Sequence, residues 1–216
     1  MKVGILFSGG KDSTFAIQHA IEKKWGIEYL LSVKPTRTDC FLFHFATVEH
    51  TPIIAEILGL KHYFITCSVA DAKKEADLIR EFVLQHMVDA LVLGGTGLQL
   101  TQLKSLQDSL HPFGVEVFAA HSGFDHDEII EEMLDKGYKI VVTQVATDGG
   151  SKWLGREINR ENFEELKKDS MKYGFHIGFE GGYMDTFVLD APIFHKKLEI
   201  LKSKKVMEDE YSGHMI

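Results

Sequence analysis

Val3-Gly4-Ile5-Leu6-Phe7-Ser8-Gly9-Gly10-Lys11-Asp12-Ser13 decides how this chain is read. Residues 3–7 are a short, almost wholly apolar run, the pattern of a parallel strand buried on both faces. Beyond Ser13, residues Phe15, Ala16, Ile17, Ala20 and Ile21 recur at helical spacing as far as Lys24. Ser8–Ser13 is therefore a strand-to-helix turn at the carboxyl end of a first strand, where open α/β sheets bind nucleotides. Two adjacent glycines let the backbone approach a phosphate with no Cβ in the way. The N–H groups at the helix start, aided by the helix dipole, then favour an anion. Ser8 and Ser13 add hydroxyl donors, and Lys11 adds a mobile positive charge. Asp12 reads in two ways: a ligand to Mg²⁺, directly or through water, or a first-turn acid favoured by the dipole.

The turn is not a Walker loop, which closes a longer glycine loop with Lys-Ser/Thr. It resembles in full the SGGxDS pattern of the ATP-pyrophosphatase (PP-loop) superfamily. The resemblance implies that Ser8, Gly9, Gly10, Lys11, Asp12 and Ser13 hold the β,γ-pyrophosphate of ATP, with Lys11 and Asp12 in the catalytic role. The chemistry would then fall on the α-phosphate: an acceptor oxygen is adenylated, pyrophosphate leaves, and a nucleophile displaces AMP.

The 216 residues suit one large domain or two small ones, and 44% hydrophobic with 26% charged residues is ordinary for a soluble globular protein. A formal charge of −8 speaks against a broad nucleic-acid face, which would be basic. That bears on tRNA-modifying PP-loop enzymes, although a local basic patch can sit on an acidic protein. Cys40 and Cys67 form no C-x-x-C pair, so neither a disulfide framework nor a structural zinc site is supported. Both read as small buried apolar residues. Sulfur-transferring PP-loop enzymes generally carry cysteine pairs or metal clusters, and none is visible. Residues 1–7 lead straight into the motif without a signal peptide, and no apolar run reaches membrane-spanning length. A reducing cytoplasmic compartment is expected.

Downstream, apolar runs alternate with helical patterns, the signature of a doubly wound parallel sheet. A second strand is expected at 29–33, before Pro35; by the superfamily resemblance its end lies near adenine, making Val33 and Lys34 candidate base contacts. Asp39–Phe45 is a dense aromatic loop, read either as packed core or as a wall of a substrate cavity with His44 as a polar contact. A helix follows from Val48 to Leu58, stopped by Gly59. The third strand is 62–66, and Asp71 caps the next helix. The fourth strand, 90–93, runs into Gly94-Gly95-Thr96-Gly97, a second glycine-rich strand end suited to close approach by a ribose or phosphate, or to a tight turn. A fifth strand is expected at 115–118. From about residue 122 the character changes, dividing 1–122 from a smaller α/β domain at 123–216. There Asp125 and Glu128 read as a capping pair for a helix ending at Gly137, and 139–145 is a sixth strand. Trp153-Leu154-Gly155-Arg156 lies on a loop, and Asn159 caps a charged helix ended by Gly174. From Lys196 onward a solvated helix or loose end is expected.

Glu180-Gly181-Gly182-Tyr183-Met184-Asp185-Thr186-Phe187-Val188-Leu189-Asp190-Ala191-Pro192-Ile193-Phe194 is the second informative stretch. With Ser8–Ser13, Leu42-Phe43-His44 and Trp153–Arg156, it resembles the diphthine–ammonia ligase family, in the family's order and across nearly the whole chain. The family usually reads E-G-G-E-Y-E-T-F here, whereas this chain has Tyr183, Met184 and Asp185 in the three variable places. The often Arg-rich segment after the fourth strand carries only Lys104, and the usual Pro-Leu-Trp near the fifth strand is Ala119-Ala120-His121.

The resemblance implies a fold of the adenine nucleotide α-hydrolase (Rossmann-like) kind, with ATP and Mg²⁺ used and Mg²⁺ met by Asp12. Nucleotide contacts would extend to Val33, Gly94 and Gly95, and acceptor contacts would be His44, Glu180, Gly181, Gly182, Tyr183, Asp185 and Thr186. The implied reaction adenylates the carboxylate of diphthine on elongation factor 2 and amidates it with free ammonium. Diphthine's quaternary ammonium would suit aromatic faces beside a carboxylate. Alternatives stay open: another carboxylate or a tRNA base as acceptor, or a nucleotide-binding regulatory module without turnover. Self-association into a homo-oligomer is also open, and no membrane partner is expected.

Overall fold

Five of the apolar runs pair into one wholly parallel sheet. The computed structural model describes residues 1–36, 47–96 and 100–216. They fall into two compact units: Met1–Ser8 with Asp12–Gly123, and Gly9–Lys11 with Phe124–Ile216.

The first unit contains β1 (Lys2–Leu6), α1 (Lys11–Glu22), β2 (Gly26–Pro35), α2 (Thr51–Leu58), β3 (His62–Cys67), α3 (Ala72–Gln85), β4 (Ala90–Leu93), α4 (Leu100–Leu110) and β5 (Glu116–Ala119). Its sheet has the order β3-β2-β1-β4-β5. The chain steps outward from β1 to β3, then returns to the far side of β1 for β4 and β5. The strand order therefore reverses between β1 and β4, and the turn at Ser8 leaves the sheet at that switch point.

Each β-strand sends alternate side chains to opposite faces. Tyr29, Leu31, Val33, Leu91 and Val117 join Ala76, Ile79 and Val83 of α3 and Leu106 and Leu110 of α4 in one buried cluster. Cys67 belongs to the same cluster, as expected of a small apolar residue. Ser32 points the other way, where its hydroxyl lies 2.8 Å from His62 Nε2; the same nitrogen is 3.3 Å from Thr51 Oγ1 at the start of α2. Burial holds the His62 imidazole below its usual pKa.

Local signals account for the helix limits. Gly59 and Gly174 end α2 and α6 (Arg160–Tyr173) in the left-handed conformation. Asp71 accepts from the Lys74 N–H, and Asn159 with Asn162 forms a reciprocal capping box. Asp125 departs from expectation: it is the N-cap residue of α5 (His126–Asp135) but makes no side-chain capping bond. The segment after β4 forms α4, a helix the sequence reading did not assign. The aromatic loop with His44 and Cys40, and Gly97, lie outside the described residues.

The second unit is built on β6 (Lys139–Ala146). One edge of β6 pairs along its length with β8 (Met184–Asp190); the other pairs first with β7 (Glu157–Ile158) and then with β10 (Ser212–Met215), all antiparallel. β9 (Lys205–Met207) extends the sheet beyond β10. The tail expected to be a solvated helix or loose end is thus a hairpin completing a sheet. Its turn is made by Asp209, whose carboxylate accepts from the Tyr211 and Ser212 N–H groups at 2.7 and 2.6 Å and is held below the usual carboxylate pKa by them. No described helix is long and apolar enough to cross a membrane.

Gly4 is a close-packed point of the central sheet, since a Cβ there would lie 2.5 Å from the buried Tyr29 ring. Gly4→Ala is expected to cost about 1–3 kcal/mol in urea denaturation, and Tyr29→Leu in the same chain should restore part of it.

Candidate functional site

Ser8, Gly9 and Gly10 connect β1 to α1, and Gly9 takes φ +79°, a conformation open to glycine without penalty. The Ser13 hydroxyl reaches back to the start of the turn, accepting from the Ser8 N–H at 3.2 Å and lying 3.2 Å from the Ser8 hydroxyl. Asp12 stands in the first turn of α1, where the dipole favours a carboxylate. At the neighbouring strand end, a Cβ on Gly94 would meet Ser13 N at 2.5 Å and the Asp12 carbonyl carbon at 2.6 Å. The close approach that Gly94 permits is thus to the backbone of α1's first turn. Gly95 takes φ +82°, and its carbonyl accepts from the His121 N–H.

β2 runs on to Pro35, whereas its pairing with β1 ends at Leu31, just before Phe7 N–H bonds the Leu31 carbonyl. Residues 32–35 therefore reach past the strand that carries the turn. The Val33 side chain is committed to the core cluster, so only its peptide groups can serve a base.

Gly9–Lys11 is held by β8. The Val188 N–H donates to the Gly9 carbonyl at 2.9 Å, and the Lys11 N–H donates to Thr186 Oγ1 at 3.1 Å. Thr186, expected at the acceptor, thereby satisfies one of α1's first N–H groups. Lys11, expected as a mobile charge, is only 2% exposed; its ammonium donates to the Gly178 carbonyl at 2.7 Å and sits 5.1 Å from the centre of the Phe179 ring. Phe179, Gly181 and Gly182 all take positive φ, so Glu180 lies within a left-handed turn.

Beyond that turn, Met184 is buried in the sheet, while Tyr183 and Asp185 are half-exposed. Asp185 is the cross-strand neighbour of Gln144, and Gln144 is the neighbour of His214 on its other side. One face of the sheet thus carries a polar row that the sequence reading missed. The register shift between Val142 and Gln144 re-aims β6 at this point, and Gln144 Oε1 is buried without a hydrogen-bond partner. Only the alternation of β6 points to Gln144; His214 lies in the tail expected to be a solvated helix or loose end.

Trp153–Arg156 is tied to α6. The Trp153 indole is buried and donates to Asp169 at 2.8 Å, Arg156 stacks 4.4 Å from the ring centre, and Lys152 and Arg156 both pair with Glu165. Those two cations draw the Glu165 carboxyl down to about 2. His121, standing where the family usually has Trp, stacks on Phe15 at 4.6 Å as an aromatic ring would.

A parallel sheet of order 3-2-1-4-5, with a Ser-Gly-Gly turn leaving its switch point, defines a Rossmann-like domain of the PP-loop kind. Comparison with known proteins narrows the class. The model of the diphthamide synthase N-terminal domain matches residues 1–111, and that of the diphthamide synthase C-terminal domain matches residues 125–215. The chain belongs to the diphthamide synthase family. It is 26% identical to the diphthine–ammonia ligase of Danio rerio over 97% of this chain and 90% of that protein. The Mus musculus diphthine–ammonia ligase is 25% identical, over 96% and 85%. The Schizosaccharomyces pombe diphthine–ammonia ligase is also 25% identical, over 96% of this chain but 37% of its own length.

Two substitutions probe the supports of the turn. Thr186→Val strands the buried Lys11 N–H and should cost about 1–3 kcal/mol in chemical denaturation, whereas Thr186→Ser keeps the acceptor and most of the stability. Gly94→Ala pushes on helix backbone and should cost about 1–3 kcal/mol in the same denaturation experiment.

Proposed function

We propose that this chain is an ATP-dependent, AMP-forming ligase that converts the carboxylate of diphthine on elongation factor 2 to an amide with ammonium. The reading is carried by the Ser-Gly-Gly-Lys-Asp-Ser turn at the sheet's switch point in a chain of the diphthamide synthase family. The names of its relatives supply the acceptor and the nitrogen source.

In this reading the backbone of Gly9 and Gly10, the Ser8 and Ser13 hydroxyls and the N-terminus of α1 hold the β,γ-phosphates. Gly94 and Gly95 keep the adjacent strand end close, and the peptide groups of Val33 serve adenine. A carboxylate oxygen of diphthine attacks the α-phosphorus, the bond to the β-phosphate oxygen breaks, and pyrophosphate leaves with the electron pair. The nitrogen of ammonia then attacks the acyl carbon, the carbon–oxygen bond to AMP breaks, and the nitrogen gives up a proton. No enzyme nucleophile is needed. The protein's contribution is position and neutralisation of charge developing on phosphate.

Mg²⁺ is commonly held by one or two carboxylates together with substrate phosphates and water. Asp12, with the Ser8 and Ser13 hydroxyls nearby, fits that donor set. Among the described residues no group of three or more His, Cys, Asp or Glu is assembled for a metal, which suits an ion brought in by the nucleotide. On the acceptor side, Glu180, Gly181, Gly182, Tyr183 and Asp185 recognise the trimethylated cation by charge and aromatic face. An elongation-factor substrate places the enzyme in the cytoplasm.

The test offers the protein ATP, ammonium chloride and diphthine-bearing elongation factor 2. The expected products are AMP, pyrophosphate and an elongation factor with the mass of the amide. ADP in place of AMP, or pyrophosphate release indifferent to the acceptor, would overturn the proposal. Glu180→Gln should raise the acceptor KM about tenfold, the scale of one lost charged contact, with ATP affinity retained.

A further inference from the structure

The motif lysine is buried rather than presented to solvent. Its ammonium is buried, donates to the Gly178 carbonyl at 2.7 Å and rests against the Phe179 ring. A buried ammonium is costly unless hydrogen-bonded and neutralised, and a carbonyl dipole with an aromatic face is a matched pair of acceptors for it. The lysine holds a segment that needs holding. Phe179 is a non-glycine residue at φ +67°, and Gly181 and Gly182 follow at +95° and +80°. Such conformations persist where surrounding contacts over-determine them, and they cluster at functional sites.

Both peptide groups of Gly178 are engaged. Its carbonyl accepts from Lys11, and its N–H donates to His176 Nδ1 at 3.1 Å. The His126 ring lies where a Gly178 Cβ would project, and it packs edge-on against His176 with ring centres 4.4 Å apart. The strained turn is thus fixed at its entry by one ammonium and two imidazoles. Two residues further on is Glu180, the carboxylate assigned above to the acceptor.

We propose that Lys11 is a positioning residue for the acceptor turn at 178–182 and not a ligand of the ATP phosphates. The assignment rests on the reading of Glu180 as an acceptor contact. It explains why a side chain in the phosphate turn is spent on a carbonyl: the same residue that gives its N–H to Thr186 gives its ammonium to the turn that presents Glu180.

Lys11→Met keeps the length and apolar stem while deleting the charge. Hydrogen exchange read by mass spectrometry should show residues 175–183 exchanging about tenfold faster than in the parent, as for a segment that has lost a local constraint. ATP affinity by calorimetry should stay within about threefold, since no phosphate contact is lost, and this retained binding also certifies the fold. With diphthine-bearing elongation factor 2, the acceptor KM should rise about tenfold or more while the KM for ATP holds. Gly178→Ala, which drives the turn off the His126 ring and so shifts the carbonyl that Lys11 bonds, should reproduce the acceptor defect and the faster exchange. A tenfold or greater loss of ATP affinity in Lys11→Met, or unchanged exchange over 175–183, would overturn the assignment. Because exchange and ATP binding are read without turnover, they decide the role of Lys11 even if the parent protein makes no amide.

Discussion

Two hydrogen bonds from β8, one closing on the Gly9 carbonyl and one accepted by Thr186 from the Lys11 N–H, set the conformation of the glycine turn. Glycines are the residues with most backbone freedom to lose, and ordering each one costs roughly 1–2 kcal/mol. A turn of two glycines therefore needs external anchors to hold a single shape before a ligand arrives. The anchor at Gly9 does more than restrain. The Gly9 carbonyl and the Gly10 N–H belong to one planar trans peptide and point in opposite directions. Pinning the carbonyl toward β8 therefore fixes the plane of that peptide.

This view also orders the sequence motif. Ser13 reaches back to Ser8 and closes the turn on itself, Gly94 lets a neighbouring strand end press against the first turn of α1, and Lys11 looks away toward Gly178. A positive charge is the usual partner of phosphate, so a lysine in a phosphate turn is read as such by default. Here the ammonium is buried against a carbonyl and an aromatic face instead.

Much of the first unit was legible because its elements carry local signals. The β1 run, the glycines that follow β1 and β4, Asp71 and Gly59 each act within a few residues of their own position, and β4 and α3 fall where periodicity put them. What escaped depended on distant partners. The α4 face of Leu103, Leu106 and Leu110 has helical spacing, but it sits among Gln, Ser and Thr and gains its stability from packing on α3. The strands β9 and β10 are three and four residues long and flanked by Lys, Glu and Asp, so no alternation stands out; β10 is made a strand by pairing with β6, and β9 by pairing with β10. At the site, the types and order of residues were readable, but directions were not. Nothing local tells that Lys11 points to Gly178, that Thr186 bonds backbone, or that the Trp153 indole bonds Asp169, because each is fixed by contacts distant in the chain.

The three departures in the acceptor motif are not equal once placed on β8. Successive residues of a strand face opposite ways, and Met184 is 2% exposed, so its side chain answers to the packing of the sheet and says little about the acceptor. Tyr183 and Asp185 keep part of their surface open. Asp185 preserves the carboxylate one methylene shorter and lies beside Gln144, whose side-chain oxygen is buried without a hydrogen-bond partner. At 183 a charge is exchanged for an aromatic face beside the positive-φ turn at Gly181 and Gly182. A quaternary ammonium donates no hydrogen bond and is attracted by π density and by negative charge alike, so that exchange keeps the attraction while removing a charge that would also draw in inorganic cations. Under the proposed function, the substitutions therefore alter how a trimethylated cation is held more than whether it can be held.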